Sequence, residues 1–407
     1  MQFHDLRLAV RGVLRQPRRT VISVAAVAFG IVALMLASGF IEWIFDAMRE
    51  GTIRVHLGHV QIVRPGFYEA GRADPYRYLL PSEGEVTRAL AGITGVKNIA
   101  PRLSFSGLAS HGESTLSFIG EAVDPDAEGE LSQALDIVEG SALGNDDPRA
   151  ILFGLGLARS LGVTIGDRVV LLVTTASGGV NAVEASVRGI FVTATKAYDD
   201  TALRISIETA RSLLRVRGSH AWLVLLDDTE QTDAVVQKLR ADLPAAQYET
   251  VPWYSLADFY NKTVTLFNKQ MAVMWVIVAA IIVLSITNTM TMSVIERTWE
   301  IGTAMALGDT RATVLIRFLL EGAVVGLVGG VIGLALGYLL AQWISSIGVP
   351  MPAPPGMAHG YIGRILITPR LAAESFALAI FTTVIASLYP AWKASRLEIV
   401  DALRHNH

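Results

Sequence analysis

Hydrophobic residues fall in four runs rather than being spread along the chain. Residues 20–41 and 270–295 hold no charge, 318–347 hold only Glu321, and 371–392 hold only Glu374. A helix needs about 20 apolar residues to cross the hydrocarbon core of a bilayer, so each run predicts a membrane-spanning helix. Arg15, Arg18 and Arg19 stand before the first run as they would before a signal peptide. The apolar core of such a peptide is only about 7–15 residues, and the run is read as an uncleaved anchor.

The flanks predict the orientation. Arg7, Arg11, Arg15, Arg18 and Arg19 face one acid, Asp5, at the start; Lys393, Arg396 and Arg404 face Glu398 and Asp401 at the end. Lys and Arg excess marks the cytoplasmic side, and four spans put both ends there. The predicted layout is a cytoplasmic segment 1–20 and spans at 21–43, 271–295, 313–347 and 371–392. A domain at 44–270 and a short loop at 348–370 lie outside, and a segment at 296–312 and a tail at 393–407 lie inside.

The 44–270 insert carries 21 Lys and Arg against 28 Asp and Glu, a net charge of −7. Its pattern changes to short apolar stretches punctuated by turn residues. Residues 60–63, 114–120, 168–174, 182–191 and 222–226 read as strands. Residues 81–91, 124–135, 207–214 and 229–241 read as helices. Gly166-Asp167 and Gly178-Gly179 read as turns around a hairpin. The expectation is an α+β domain in which a small β-rich part, about 91–205, is inserted into a mixed lobe.

Composition narrows the chemistry. Hydrophobic residues are 52%, charged residues 17% and mean hydropathy +0.44, against about 25% charged in soluble domains. A net charge of −3 and a pI near 6.3 argue against nucleic acid as the main partner. The absence of cysteine removes disulfides, thiol nucleophiles, iron–sulfur clusters and Cys-type zinc sites. No G-x-x-x-x-G-K-[ST], H-E-x-x-H or G-x-S-x-G occurs. Gly154, Gly156, Gly162 and Gly166 read as turns between strands, and His56 with His59 lacks the partners of a metal set. No catalytic residue, metal site or directly bound cofactor is expected.

The spans offer contacts instead. Glu321 and Glu374 sit near span ends, where a carboxylate reaches an interface. Asn288 lies deeper and reads as helix–helix glue. Gly322, Gly326 and Gly330 recur every four residues, as do Gly329, Gly333 and Gly337. Each row lets another helix approach closely, within the chain or from a second subunit. Phe40, Trp43, Phe45 and Phe267 mark the outer membrane boundary on both linkers to the insert, as an interfacial belt or as the point where an acyl chain leaves lipid.

The stretch from Glu296 to Gly308 joins the second and third spans. Ile301, Met305 and Leu307 form an apolar patch beside Glu296, Arg297 and Glu300. Such a patch suits a helix docking into a partner's groove or folding back on its own bundle.

Residues 288–333 resemble the permease family that contains MacB, FtsX, LolC and LolE. Glu296, Arg297, Glu300, Ile301, Gly302, Ala306, Leu307 and Gly308 fit its E-R-x-x-E-I-G-x-x-x-A-L-G segment, and Glu321-Gly322 its E-G pair. Tyr389-Pro390-Ala391 through Arg396, with Asp401-Ala402-Leu403-Arg404, is similar to the family's tail. Gln16-Pro17-Arg18-Arg19-Thr20 is similar to its entry to the first span, and residues 151–172 to a segment of its periplasmic domain. The resemblance implies an α-helical membrane protein with four transmembrane helices and a large α+β periplasmic domain between the first and second. It further implies the permease half of an ABC transporter in a bacterial inner membrane. ATP and Mg would bind a separate, dimeric ATPase subunit docked on the 296–308 stretch. A second permease subunit, identical or paralogous, would complete the membrane part, and ATP-driven closure would move the periplasmic domains. Length and layout fit the lipoprotein-releasing members, which work on membrane lipid anchors with a periplasmic lipoprotein carrier. The stretch Pro350 to Met357 departs from them. A MacB-like exporter with an adaptor, or an FtsX-like regulator of a cell-wall hydrolase, is the alternative.

Overall fold

The computed structural model describes residues 17–71, 74–80, 84–91, 93, 95–129, 131, 135–193, 196–351 and 361–398. Arg7, Arg11, Arg15, Arg404, the start of the expected 81–91 helix and most of the Pro350 to Met357 stretch lie outside these residues. In chain order the longer described helices are α1 (Pro17–Thr52), α2 (Gly84–Ala91), α3 (Leu155–Leu161), α4 (Ile207–Leu214) and α5 (Thr232–Asp242). They continue with α6 (Asp258–Glu296), α7 (Thr298–Ala306), α8 (Arg311–Ile347) and α9 (Pro369–Ser395). The chain divides into two compact units, one of residues 1–46, 263–350 and 362–407, the other of residues 47–262 and 351–361.

Among the described residues four helices are long and apolar enough to cross a membrane, and their apolar runs lie in the first unit. Helix α1 runs past the apolar run to Thr52, and α6 starts at Asp258, before it. Neither extension contains Gly or Pro before residue 51 or after residue 258, so nothing in the local sequence stops the helix. The two glycine rows of α8 face different neighbours. A Cβ added at Gly329 or Gly333 would lie 2.8 Å from Val27 or Ile31 of α1. One added at Gly330 would lie 2.8 Å from Phe376 of α9, while Gly322 and Gly326 abut Ser387 and Thr383 of the same helix. Both rows are therefore occupied inside the chain. Helix α6 buries only one i,i+4 row, Ile282, Ile286, Met290 and Val294.

Pro390 lies inside α9. It has no N–H to give the carbonyl of Ala386 four residues back. Thr287 of α6 donates its hydroxyl to that carbonyl at 3.0 Å. Asn288, the residue expected to bridge helices, is exposed, and its neighbour makes the contact.

The second unit is built on one sheet. Its strands are β1 (Val60–Val63), β2 (Val96–His111), β3 (Ser114–Val123), β4 (Asp136–Gly140), β5 (Ala150–Gly154), β6 (Arg168–Thr174), β7 (Val180–Val192), β8 (Ala202–Ser206), β9 (Ala221–Leu226) and β10 (Glu249–Pro252). The order is β10-β1-β9-β2-β3-β8-β5-β7-β4, and β6 pairs with both β2 and β7. Strands β2, β3, β8, β5, β7 and β6 thus close a ring, a small barrel. The length of β2 lets it serve two structures: Val96–Arg102 pairs with β9 and Gly107–Ser110 with β6. The barrel interior holds Leu103, Phe105, Phe118, Phe153, Leu171, Leu203 and their neighbours. The lobe made by β10, β1, β9 and the start of β2 packs Ile62, Trp222 and Val224 against Leu90 of α2 and Val235, Val236 and Leu239 of α5.

Two local expectations change. The expected helix over 124–135 is broken: Pro125–Glu128 is capped by Asp124 and stopped by Gly129 at φ 45°, while 130 and 132–134 lie outside the described residues. Gly154 and Gly156 do not mark a turn between strands. They start α3, where the backbone of Asp199 and the side chain of Asp200 leave no room for a Cβ.

Candidate functional site

Helix α7 is the short connection between α6 and α8, and the chain turns into it at Arg297 (φ −102°, ψ 12°). The turn is hydrogen-bonded throughout. Arg297 N–H donates to Ser293 O at 3.1 Å, Ile301 N–H donates to Arg297 O at 2.9 Å, and Thr298 Oγ1 donates to Val294 O at 3.0 Å.

The apolar residues of α7 separate onto two faces. Ile301 is 8% exposed and packs with Val294, Val314, Phe318, Ala391 and Ala394; Met305 is half-buried against the same cluster. Leu307 is 85% exposed and Trp299 50% exposed. Ile301, Met305 and Leu307 are therefore not one docking patch. A nine-residue helix held between two long ones gains its place by burying an i,i+4 row on its own bundle. The outward face is carried by Trp299, Thr303, Ala306 and Leu307, spaced i, i+4, i+7 and i+8. Trp299 fits the helical spacing of this exposed face, and nothing in the stretch 296–308 by itself tells the exposed face from the buried one.

Of the charges beside α7, Arg297 turns inward, while Glu296 and Glu300 are exposed. Arg297 Nη1 donates to Glu321 Oε1 of α8 at 2.8 Å, and its Nε lies 3.5 Å from Glu300. Its guanidinium stands 5.9 Å from the centre of the Phe318 ring. Glu296 pairs with Arg19 of α1.

The aromatic residues at the outer boundary form separate pairs. Phe40 stacks on Trp43 with ring centres 6.5 Å apart, and Phe45 meets Phe267 edge-on at 6.1 Å. Phe40, Trp43 and Phe267 are each half-buried.

The second unit buries charge that no local pattern in the sequence marks. Arg102, Glu121, Glu128 and Arg204 are at most 5% exposed. Glu121 Oε2 accepts from Arg102 at 2.8 Å and lies 3.0 Å from Arg204; Glu128 pairs with both arginines. Arg204 also donates to the Val55 carbonyl at 2.8 Å, and His56 Nδ1 stands 3.0 Å from Glu121. Burial alone would raise the Glu121 carboxyl; His56, Arg102 and Arg204 hold it well below the usual carboxylate range. Two further histidines are buried as acceptors. Leu226 N–H donates to His59 Nδ1 and Ser104 N–H to His220 Nδ1, at 3.0 and 3.1 Å. Burial pushes both imidazoles down to about 4. Among the described residues no group of three or more His, Cys, Asp or Glu could hold a metal.

Residues 20–242 match the family described as MacB-like periplasmic core domain, and residues 272–399 the one described as FtsX-like permease C-terminal. The chain belongs to this family of ABC transporter permeases and is a multi-pass membrane protein. It is 24% identical over 405 residues to the lipoprotein-releasing system transmembrane protein LolC of Neisseria meningitidis, covering 95% of this chain and 94% of LolC. It is 27% identical over 277 residues to an uncharacterized ABC transporter permease of Methanocaldococcus jannaschii, covering 66% of this chain and 65% of that one. It is 37% identical over 141 residues to a macrolide export ATP-binding/permease protein MacB of a Shewanella species, covering 35% of this chain and 20% of MacB. The extracellular domain of YknZ superposes with a TM-score of 0.35 at 15% identity, covering 47% of this chain and 98% of that domain. The periplasmic region of MacB from Actinobacillus actinomycetemcomitans superposes with a TM-score of 0.36 at 12% identity, covering 52% of this chain and 95% of that region.

Proposed function

We propose that this chain is a permease subunit that draws a lipid-anchored or amphiphilic cargo, lipoprotein foremost, from the outer leaflet of an inner membrane by mechanotransmission. ATP and Mg bind a separate, dimeric ATPase subunit on the cytoplasmic side, where both termini of the chain lie. A second permease subunit, identical or paralogous, completes the assembly, and a periplasmic carrier receives the cargo. The observation that carries the reading is the outward face of α7. Trp299 and Leu307 are exposed at the one described helix that joins two membrane spans, and an apolar face of this spacing fits a partner's groove. The near end-to-end similarity to LolC supports lipoprotein as cargo. The 141-residue similarity to MacB favours an export permease with an adaptor as the second reading.

The test of docking is Trp299→Asp with Leu307→Asp. Both should leave the permease in the membrane and abolish co-purification of the ATPase; retained ATPase binding moves the contact elsewhere. The test of cargo is photo-crosslinking from positions 40, 43 and 267. Lipoprotein adducts that change with ATP support the release reading. Adducts to bulk phospholipid alone, indifferent to ATP, favour the exporter.

A further inference from the structure

Helix α7 is fastened to its bundle by two attachments of different chemistry. One is apolar, through Ile301 and Met305. The other is the pair of Arg297 and Glu321, and it has three features that packing alone does not call for. Arg297 is the hinge residue itself, outside both α6 and α7. Glu321 is 7% exposed within a helix apolar enough to cross a membrane, a place where a carboxylate is costly unless paired. It directly precedes Gly322, which sits against Ser387 of α9. One side chain therefore links the turn into α7 to a close contact between α8 and α9.

We propose that the Arg297–Glu321 pair is the positioning contact that passes movement of α7 into the membrane helices, distinct from the surface that binds the ATPase. The inference rests on the proposed function in taking α7 as the docked helix. The outward residues Trp299 and Leu307 receive the partner. Arg297 makes α7 and α8 move as one body, because separating the pair would leave a carboxylate buried without its cation. The apolar attachment is non-directional and lets α7 slide; the hydrogen-bonded pair does not.

The experiment uses the whole transporter, permease with ATPase subunit, in nanodiscs of phosphatidylethanolamine and phosphatidylglycerol. The chain has no cysteine, so Val180→Cys, at an exposed position in the outer unit, takes a single spin label. The ATP-dependent change in its spectrum reports transmission. ATPase co-purification reports docking, and thermal stability reports folding. Arg297→Met, Glu321→Gln and the double variant Arg297→Met/Glu321→Leu should all keep the ATPase bound. The label's response should fall about tenfold in each, even in the double variant, which has no orphaned charge and should fold as wild type does. Arg297→Lys should restore most of the response. A double variant that responds like wild type makes the pair a stability feature and overturns the proposal. Loss of the ATPase from Arg297→Met makes Arg297 part of the docking surface and overturns it too. ATPase retained by Trp299→Asp defeats the docking reading separately. A wild-type label indifferent to ATP defeats mechanotransmission, and the positioning role with it.

Discussion

The two units bury polar groups by opposite means. In the outer unit, four charged side chains are withdrawn from water together and neutralise one another, two arginines against two glutamates. In the membrane unit the helices meet through glycines, and the polar contacts between them are local: the Thr287 hydroxyl on the Ala386 carbonyl, and the ion pairs of Arg297 with Glu321 and of Arg19 with Glu296. The difference follows from the solvent. Water drives apolar side chains of the outer unit together, and that gain can carry a costly buried cluster. Lipid tails are as apolar as leucine, so the membrane helices gain little by hiding apolar surface and depend on close approach and hydrogen bonds instead.

The sharpest test of this contrast is the buried cluster. Glu128→Ala or Arg204→Met should cost about 3–5 kcal/mol, since each leaves an unpaired buried charge. Replacing Arg102, Glu121, Glu128 and Arg204 together by Met and Leu should recover most of that loss. Hydrogen exchange at β3 and β8 in the full chain measures both; a quadruple variant as damaged as the singles would show that the cluster is not self-compensating. On the membrane side, Gly333→Leu forces side-chain atoms into α1 and should cost about 3 kcal/mol. Gly51→Ala, in the part of α1 that belongs to the outer unit and where an added Cβ meets nothing within 4 Å, should cost nothing or stabilise. Melting in detergent separates them, and equal behaviour would remove the case for close approach at α8.

The two buried histidines predict an acid response confined to the outer unit. Their folded values lie near 4, below the unfolded value of about 6.5. Above 6.5 neither state binds the proton. As pH falls from 6.5 to 4 the unfolded chain takes up protons that the folded chain refuses, so stability is lost across that window, on the order of 2 kcal/mol for each histidine. His220→Gln should flatten the curve in proportion; an unchanged slope would assign the acid response to other groups. The smallest destabilisation is expected from Thr287→Val, about 0.6 kcal/mol, because only the hydroxyl that serves the Ala386 carbonyl is lost. Pro390→Ala should cancel that cost by restoring the helix's own N–H donor.

Much of this protein can be read from spacing alone. Apolar runs the length of a bilayer determine four spans, because no shorter or more polar segment satisfies the membrane. Residues Glu296 to Gly308 determine a structured connection, because apolar side chains at helical spacing do not stay in a plain linker. Local pattern also marks β6, β7 and β9, whose β-branched and aromatic residues are set off by turn residues. It does not mark β2, where small and polar residues alternate with few large apolar ones, and where a single strand serves both lobe and barrel through pairings far along the chain. The limits at the site have the same cause. Helical spacing divides Ile301 and Met305 from Trp299 and Leu307, but which face turns inward depends on Val314, Phe318 and Ala391, brought there by other helices. The glycine rows announce close approach, and only the packed bundle assigns one row to α1 and the other to α9. Arg102, Glu121, Glu128 and Arg204 look like surface charges one at a time. They become a neutral buried cluster because β2, β3 and β8 are paired side by side, a relation of partners that no local stretch of sequence contains.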